Sequence, residues 1–103
     1  MVIIIVIIVI RKEIFDLINL NAKIRLTTSQ DVKDFVFVTS QFGNSVQVKV
    51  KHGNSETNGK SILGLLSLNA KGVLDLEVSG DGSITEQSVR QALNNWIVEG
   101  TKD

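Results

Sequence analysis

The chain has 103 residues, no cysteine, one histidine, and eleven basic residues balanced by eleven acidic ones. A chain of this length forms one domain, and the lack of cysteine excludes disulfides, thiolate metal sites and cysteine catalysis. The balanced charge gives no basic field for nucleic acid, and a single histidine excludes most histidine-based metal sites, so neither a nucleic-acid partner nor a metal or other cofactor is expected.

The first ten residues, MVIIIVIIVI, are almost entirely β-branched. The run is about half of the roughly 20 residues needed to cross a bilayer, and its positive charges follow it, the reverse of a signal peptide. Three interpretations stay open: a strand that pairs with another strand or another chain, a disfavoured membrane anchor or targeting signal, and a start codon assigned too far upstream. We therefore separate residues 1–20, as an N-terminal extension, from a domain over residues 21–100 and a tail at residues 101–103.

A strand and a helix are predicted after the extension. Residues 11–21 fit either a helix or a strand, whereas residues 22–27 alternate apolar and polar side chains with the period of a half-buried strand. In the next segment four side chains recur at helical spacing: Val32, Phe35, Val36 and Thr39. This spacing predicts a helix with one buried face, capped by Ser29 and ended near Gly43.

A second amphipathic strand is predicted over residues 46–51, where valines alternate with polar side chains. The polar loop at residues 52–59 leaves room for a short third strand. Ser61 can accept a hydrogen bond from the free amides of a following helix, so we expect a short helix over residues 62–68. This helix carries more aliphatic side chains than one buried stripe can cover. Part of its surface is therefore expected to face solvent or a partner.

The last two predicted elements are a strand at residues 73–79 and a helix that begins near Ser83. Ser83 and Glu86 form the S-x-x-E pattern of a capping box, and Gly100 is expected to end the helix. Its buried stripe is predicted to contain Val89, Ala92, Leu93, Trp96 and Ile97. Strands with one polar face and helices with one apolar stripe predict a two-layer α+β sandwich, an antiparallel four-stranded sheet with three helices on one side.

The segment at residues 59–68, GKSILGLLSL, resembles the regulatory segment KSIMG-aliphatic-MSL of the HPr family. These are the small phosphocarrier proteins of the bacterial sugar phosphotransferase system. The resemblance extends over residues 22–98 and includes the GDG turn at residues 80–82 and the last helix. It implies the HPr-like open-faced sandwich and a cytoplasmic bacterial protein.

The matching active-site loop departs from the family pattern. Phosphocarriers have a G-aliphatic-H-A-R-P motif where the first helix begins, because helix amides bind anions and imidazole accepts a phosphoryl group near neutral pH. Here the loop contains Thr28, Ser29, Gln30 and Asp31, with no His, Arg or Pro. Asp31 would also repel a phosphate, and His52 lies in a polar hairpin far from any motif. The resemblance thus implies a family member without catalytic residues and without phosphocarrier activity.

The regulatory serine of the family is retained. The resemblance implies that Ser61 is phosphorylated by an ATP-dependent kinase, and that Lys60, Ile62, Leu63 and Leu66 form a patch for this HPr-type kinase or a transcription regulator. A histidine-lacking paralogue of this kind acts as a corepressor in carbon catabolite repression. From the residues alone, two other interpretations remain open. In the first, Ser61 is only a helix cap, and in the second, the apolar residues belong to the core.

The leading hypothesis is therefore a non-enzymatic, regulatory protein-binding domain that acts through the Ser61 helix. A rival from another class is a structural module in which residues 2–10 pair between chains and form a homo-oligomer, since an exposed apolar strand associates unless it is covered. A membrane-tethered regulator is a third hypothesis, and a decayed paralogue without activity is a fourth.

Overall fold

The computed structural model describes residues 17–68, 72–81 and 84–98. In chain order the described elements are β1 (Leu17–Arg25), α1 (Ser29–Ser40), β2 (Val46–His52), β3 (Ser55–Asn58), α2 (Ile62–Leu68), β4 (Val73–Asp81) and α3 (Glu86–Ala92). All paired strands are antiparallel, and their order in the sheet is β1-β4-β2-β3. The predicted α+β fold, with a four-stranded antiparallel sheet and three helices, is confirmed.

The sheet has one apolar face and one polar face. In the central strand β4, Leu76 and Val78 are buried, whereas Asp75 and Ser79 are exposed. Neighbouring strands place apolar residues beside the buried ones, as where Val78 pairs with Leu20 of β1. The helices and the turn after α3 add the other buried side chains of the core: Val32, Phe35, Val36, Leu65, Val89, Leu93 and Trp96. The core therefore lies between the sheet and a single layer of helices.

Ion pairs connect the strands on the polar face. The Lys23 ammonium lies 2.6 Å from the Asp75 carboxylate, and the Lys51 ammonium lies 3.1 Å from the Glu77 carboxylate. The hydrogen bond to Glu77 raises the pKa of Lys51 above its usual value. Exposed pairs of this kind contribute little to stability, so the core face holds the sheet and helices together.

β1 is longer than the strand predicted from the sequence. It begins at Leu17 and pairs with β4 along all nine of its residues, so it includes residues 17–21, whose pattern fitted either a helix or a strand. The boundary predicted between residues 20 and 21 therefore falls inside a strand. The interpretations of residues 1–16 lie outside the described residues.

Two helix caps differ from the sequence predictions. α1 is capped by Thr28 and not by Ser29, because the Thr28 hydroxyl accepts a hydrogen bond from the Asp31 amide at 3.0 Å. α3 is capped by Thr85, whose hydroxyl accepts from the Ser88 amide at 3.1 Å, so the predicted cap at Ser83 is wrong. In both helices the capping threonine has the extended backbone that lets a side chain reach the third amide of the helix.

α3 also ends earlier than predicted. It stops at Ala92, and the chain then turns so that Ile97 forms a β-bridge with Ile24 of β1. The Trp96 carbonyl accepts a hydrogen bond from β1 as well, from the Arg25 amide at 2.9 Å. These bonds to β1 replace the helical bonds that would have continued towards Gly100. Trp96 is buried as predicted, whereas Ala92 is exposed.

Candidate functional site

The loop before α1 is closed by a capping box. The Asp31 carboxylate accepts hydrogen bonds from the Thr27 hydroxyl at 2.7 Å, the Thr27 amide at 2.9 Å and the Thr28 amide at 3.3 Å. These bonds, led by the one from the Thr27 hydroxyl, hold the pKa of Asp31 below its usual value. An ionised carboxylate therefore lies at the amino end of α1 at neutral pH.

The other residues predicted for this loop, and His52, are exposed and lie in separate elements. Ser29 and Gln30 are exposed in the first turn of α1, and the Gln30 carboxamide donates to Asp34 at 2.9 Å. His52 is exposed at the end of β2, where it pairs with Ser55 of β3. The structure brings Thr28 and Asp31 together and places the histidine in a different element.

The residues before α2 form a closely bonded turn, called here the Ser61 turn (residues 58–61). The Asn58 carboxamide accepts from the Lys60 amide at 2.8 Å, and the Asn58 carbonyl accepts from the Ser61 amide at 3.1 Å. The Ser61 hydroxyl then accepts from the Gly64 amide at 3.0 Å. The prediction that Ser61 caps a helix over residues 62–68 is confirmed.

The middle of the Ser61 turn is attached to both β2 and α1. Gly59 is buried, and its amide donates to the Val48 carbonyl at 2.7 Å. Its carbonyl accepts from the hydroxyl of Thr39, a fully buried side chain of α1, at 2.9 Å. A Cβ atom at Gly59 would collide with the Val48 side chain, so a glycine is required here. Sequence reasoning assigned Thr39 to the core and missed the contact made by its hydroxyl.

Lys60 is bound to the backbone of the protein itself. Its ammonium group donates to the carbonyls of Gly43 and Val46, each at 2.6 Å. These carbonyls belong to the connection between α1 and β2 and to the first residue of β2. The sequence placed Lys60 in a partner patch, but its charge is engaged within the domain.

The five aliphatic residues of α2 divide into one buried, one partly buried (Leu68) and three exposed side chains. Leu65 is 5% exposed and belongs to the core, whereas Ile62, Leu63 and Leu66 are 37%, 77% and 45% exposed. We call these three exposed residues the α2 patch. Of the core and surface interpretations left open for these residues, Leu65 fits the first and the α2 patch fits the second, and the prediction that part of this helix faces solvent is confirmed.

One further exposed apolar residue was missed. Phe37 of α1 is 69% exposed and stands outside the buried stripe formed by Val32, Phe35, Val36 and Thr39. Its offset from that stripe is the signal in the sequence that would have placed it on the surface. The helical layer therefore carries exposed apolar side chains on both α1 and α2.

The described residues contain neither a metal-binding cluster nor a membrane-spanning helix. Their His, Asp and Glu side chains form no cluster of three that could hold a metal ion. None of the helices in residues 17–68, 72–81 and 84–98 is both long enough and apolar enough to span a membrane.

Comparisons with known proteins relate this fold to one family. The family model for the PTS HPr component phosphorylation site matches residues 29–97. The fold is also similar to the crystal structure of HPr-C-His from Thermoanaerobacter tengcongensis, with a TM-score of 0.55 and 25% sequence identity over 74% of this chain and 88% of that chain. No curated protein sequence matches the chain significantly. The residues matched by the family model include α1, the Ser61 turn and the α2 patch.

Proposed function

The chain belongs to the HPr family of the phosphotransferase system, and from this premise we propose that it is a regulatory protein-binding domain without phosphocarrier activity. In this function it acts in the bacterial cytoplasm, catalyses no reaction, and binds a protein through α2 under the control of Ser61. The partner class is an HPr-type kinase or a transcription regulator. The observation that carries the proposal is the contrast between a closed amino end of α1 and an exposed apolar α2.

The loop before α1 supports the absence of phosphoryl transfer. A phosphocarrier needs a nucleophile beside donors that stabilise the phosphoryl group. In this loop the Thr28 hydroxyl is used as the cap of α1, and the Thr27 and Thr28 amides donate to the Asp31 carboxylate. A phosphoryl group there would meet the negative charge of the Asp31 carboxylate.

The α2 patch supports binding of a protein partner. Single exposed apolar side chains are ordinary on protein surfaces, but this patch places Ile62, Leu63 and Leu66 on one seven-residue helix. The Ser61 hydroxyl lies directly before them and is only half-buried. A phosphate on Ser61 would add nearly two negative charges beside Ile62, and would thereby change which partner surface fits the patch.

Intact-mass spectrometry in non-acidic solvent tests the proposal. The full chain is incubated with ATP and an HPr-type serine kinase, and in parallel with phosphoenolpyruvate and the first enzyme of the phosphotransferase system. We expect one phosphate from ATP, which Ser61→Ala abolishes, and none from phosphoenolpyruvate. Ser67→Ala removes another exposed serine of α2 and should be phosphorylated like the unchanged chain.

Two outcomes would contradict the proposal. A phosphate from phosphoenolpyruvate that disappears in His52→Gln would establish carrier activity, and no phosphate from ATP would remove Ser61 as a regulatory site. Because Ser61→Ala also removes a helix cap, worth about 1 kcal/mol, its folding is checked by circular dichroism before the two reactions are compared.

A further inference from the structure

The Lys60 side chain is hydrogen-bonded to the backbone between α1 and β2, within the domain itself. Its ammonium group lies 2.6 Å from both the Gly43 and the Val46 carbonyl oxygens. Among the described residues no carboxylate forms an ion pair with it. Hydrogen bonds from an ionised donor are shorter and stronger than neutral ones, so Lys60 firmly joins the Ser61 turn to the α1–β2 connection.

α2 is short and has one buried side chain. It contains seven residues, and Leu65 is its one buried side chain. A helix of that length is not stable in isolation. Its position therefore depends on Leu65 and Leu68, on its contact with β3, on the Ser61 cap and on the bonds that hold the Ser61 turn. The turn is held by the Thr39 hydroxyl, by the bond from the Gly59 amide to the Val48 carbonyl, and by Lys60.

We propose that Lys60 is a positioning residue for Ser61. It fixes the Ser61 turn and the first turn of α2 to the α1–β2 connection, and it acts on phosphorylation through this backbone geometry without contacting the kinase or the phosphate. The inference rests on the proposed function for its effect on phosphorylation. The structural part of the proposal, that Lys60 holds the Ser61 turn in place, can be measured without any kinase.

Amide hydrogen exchange followed by NMR on the full chain tests the structural half. Lys60→Met keeps an apolar stem and removes the donor, and we expect exchange about tenfold faster at four amides: Val46, Ser61, Gly64 and Leu65. Amides in the centre of the sheet, such as Leu76, should be unchanged. Lys60→Arg retains charged donors and should restore most of the protection.

The matched control is Lys49→Met. It removes the ammonium of a β2 lysine whose nearest carboxylate, Glu56, is 3.9 Å away, and it should leave the exchange of all four amides unchanged. Equal exchange in Lys60→Met and the unchanged chain would overturn the proposal. A uniform rise at all amides, including Leu76, would also overturn it, since Lys60 would then affect stability in general.

Kinase kinetics test the second half. If Lys60 positions Ser61, Lys60→Met lowers kcat/KM for phosphorylation of Ser61, and the ratio to the unchanged chain is the same at low and high salt. A ratio that disappears at high salt would identify a direct charge contact with the kinase and contradict the proposal, because such contacts are screened. A kinase that leaves the unchanged chain unmodified would refute the proposed function, whereas the exchange data would still decide whether Lys60 fastens the turn.

Discussion

At the scale of single residues, the Asp31 carboxylate links the chemistry of the loop to its stability. Its pKa is lower in the folded chain than in an unfolded one, because the Thr27 hydroxyl, and then the Thr27 and Thr28 amides, donate to the ionised form. A group whose pKa is lower in the folded state stabilises the fold at pH values above its pKa in the unfolded chain, which is about 3.9 for Asp. This contribution is lost as the pH falls through the lower folded pKa.

Asp31→Asn should therefore reduce stability at neutral pH and matter little in strong acid. The amide can accept a hydrogen bond but carries no charge, so it resembles the protonated carboxyl. Urea denaturation of both proteins at pH 7 and near pH 2 measures the difference. Asp34→Asn, at a neighbouring exposed carboxylate that accepts from Gln30, is the control for removing one negative charge from α1. A difference for Asp31→Asn that is the same at both pH values would count against this role.

At the scale of secondary-structure elements, α2 combines a minimal core contact with an exposed surface. Leu65 fills the core, and a Cβ at Gly64 would collide with the Thr57 hydroxyl of β3, so the helix lies close against that strand. Leu63 lies on the opposite side of the helix from Leu65 and is 77% exposed. The core contact and the exposed apolar surface thus belong to different leucines of the same helix.

Leu65→Ala should cost about 2–5 kcal/mol of unfolding free energy, as large-to-small changes in a core do. Leu63→Ala should change it by less than about 0.5 kcal/mol and instead raise the KM of the Ser61 kinase. Urea denaturation and phosphorylation kinetics measure the two effects. An equal loss of stability in both variants would show that Leu63 is not a surface residue.

At the scale of the whole molecule, the order of the sheet leaves β1 at one edge and β3 at the other. β1 is nine residues long. Residues 96–98 cover the end of its outer edge, where Ile97 bridges to Ile24, and among the described residues no strand pairs with the rest of that edge. The apolar run at residues 2–10 precedes β1 in the chain. Unpaired edges are sites of association between chains, so the hypothesis of a homo-oligomer formed through this run keeps a physical basis.

Light scattering tests that hypothesis. It predicts that the full chain associates and that a chain starting at Leu17, which keeps all of β1, is a monomer. A full-length variant with Ile5→Lys and Ile7→Lys, in which two charges interrupt the run, should also be monomeric. If the full chain and the shortened chain are both monomers, pairing between chains through residues 2–10 is wrong.

The pattern of the sequence by itself determined the type and order of the elements. Burial of one face imposes a period of two on strands and 3.6 on helices, so residues 73–79 and the stripe of α1 were predictable from spacing. The cap at Ser61 was also predictable, since it joins residues three apart. The caps at Thr28 and Thr85 were missed because serines and threonines are neighbours there, and the local backbone conformation decides which one reaches the amide.

The tertiary structure decided the features that join residues far apart in the chain. Pairing with β4 extends β1 back to Leu17, and bonds to β1 hold residues 96–98, beyond the end of α3 at Ala92. The bond from the Thr39 hydroxyl to the Gly59 carbonyl, and those from the Lys60 ammonium to the Gly43 and Val46 carbonyls, also cross 14 to 20 positions. The local spacing of apolar residues does not predict such contacts, because they depend on where the sheet places each carbonyl. The sequence therefore predicted that a serine-capped apolar helix exists, and the fold determined how that helix is held.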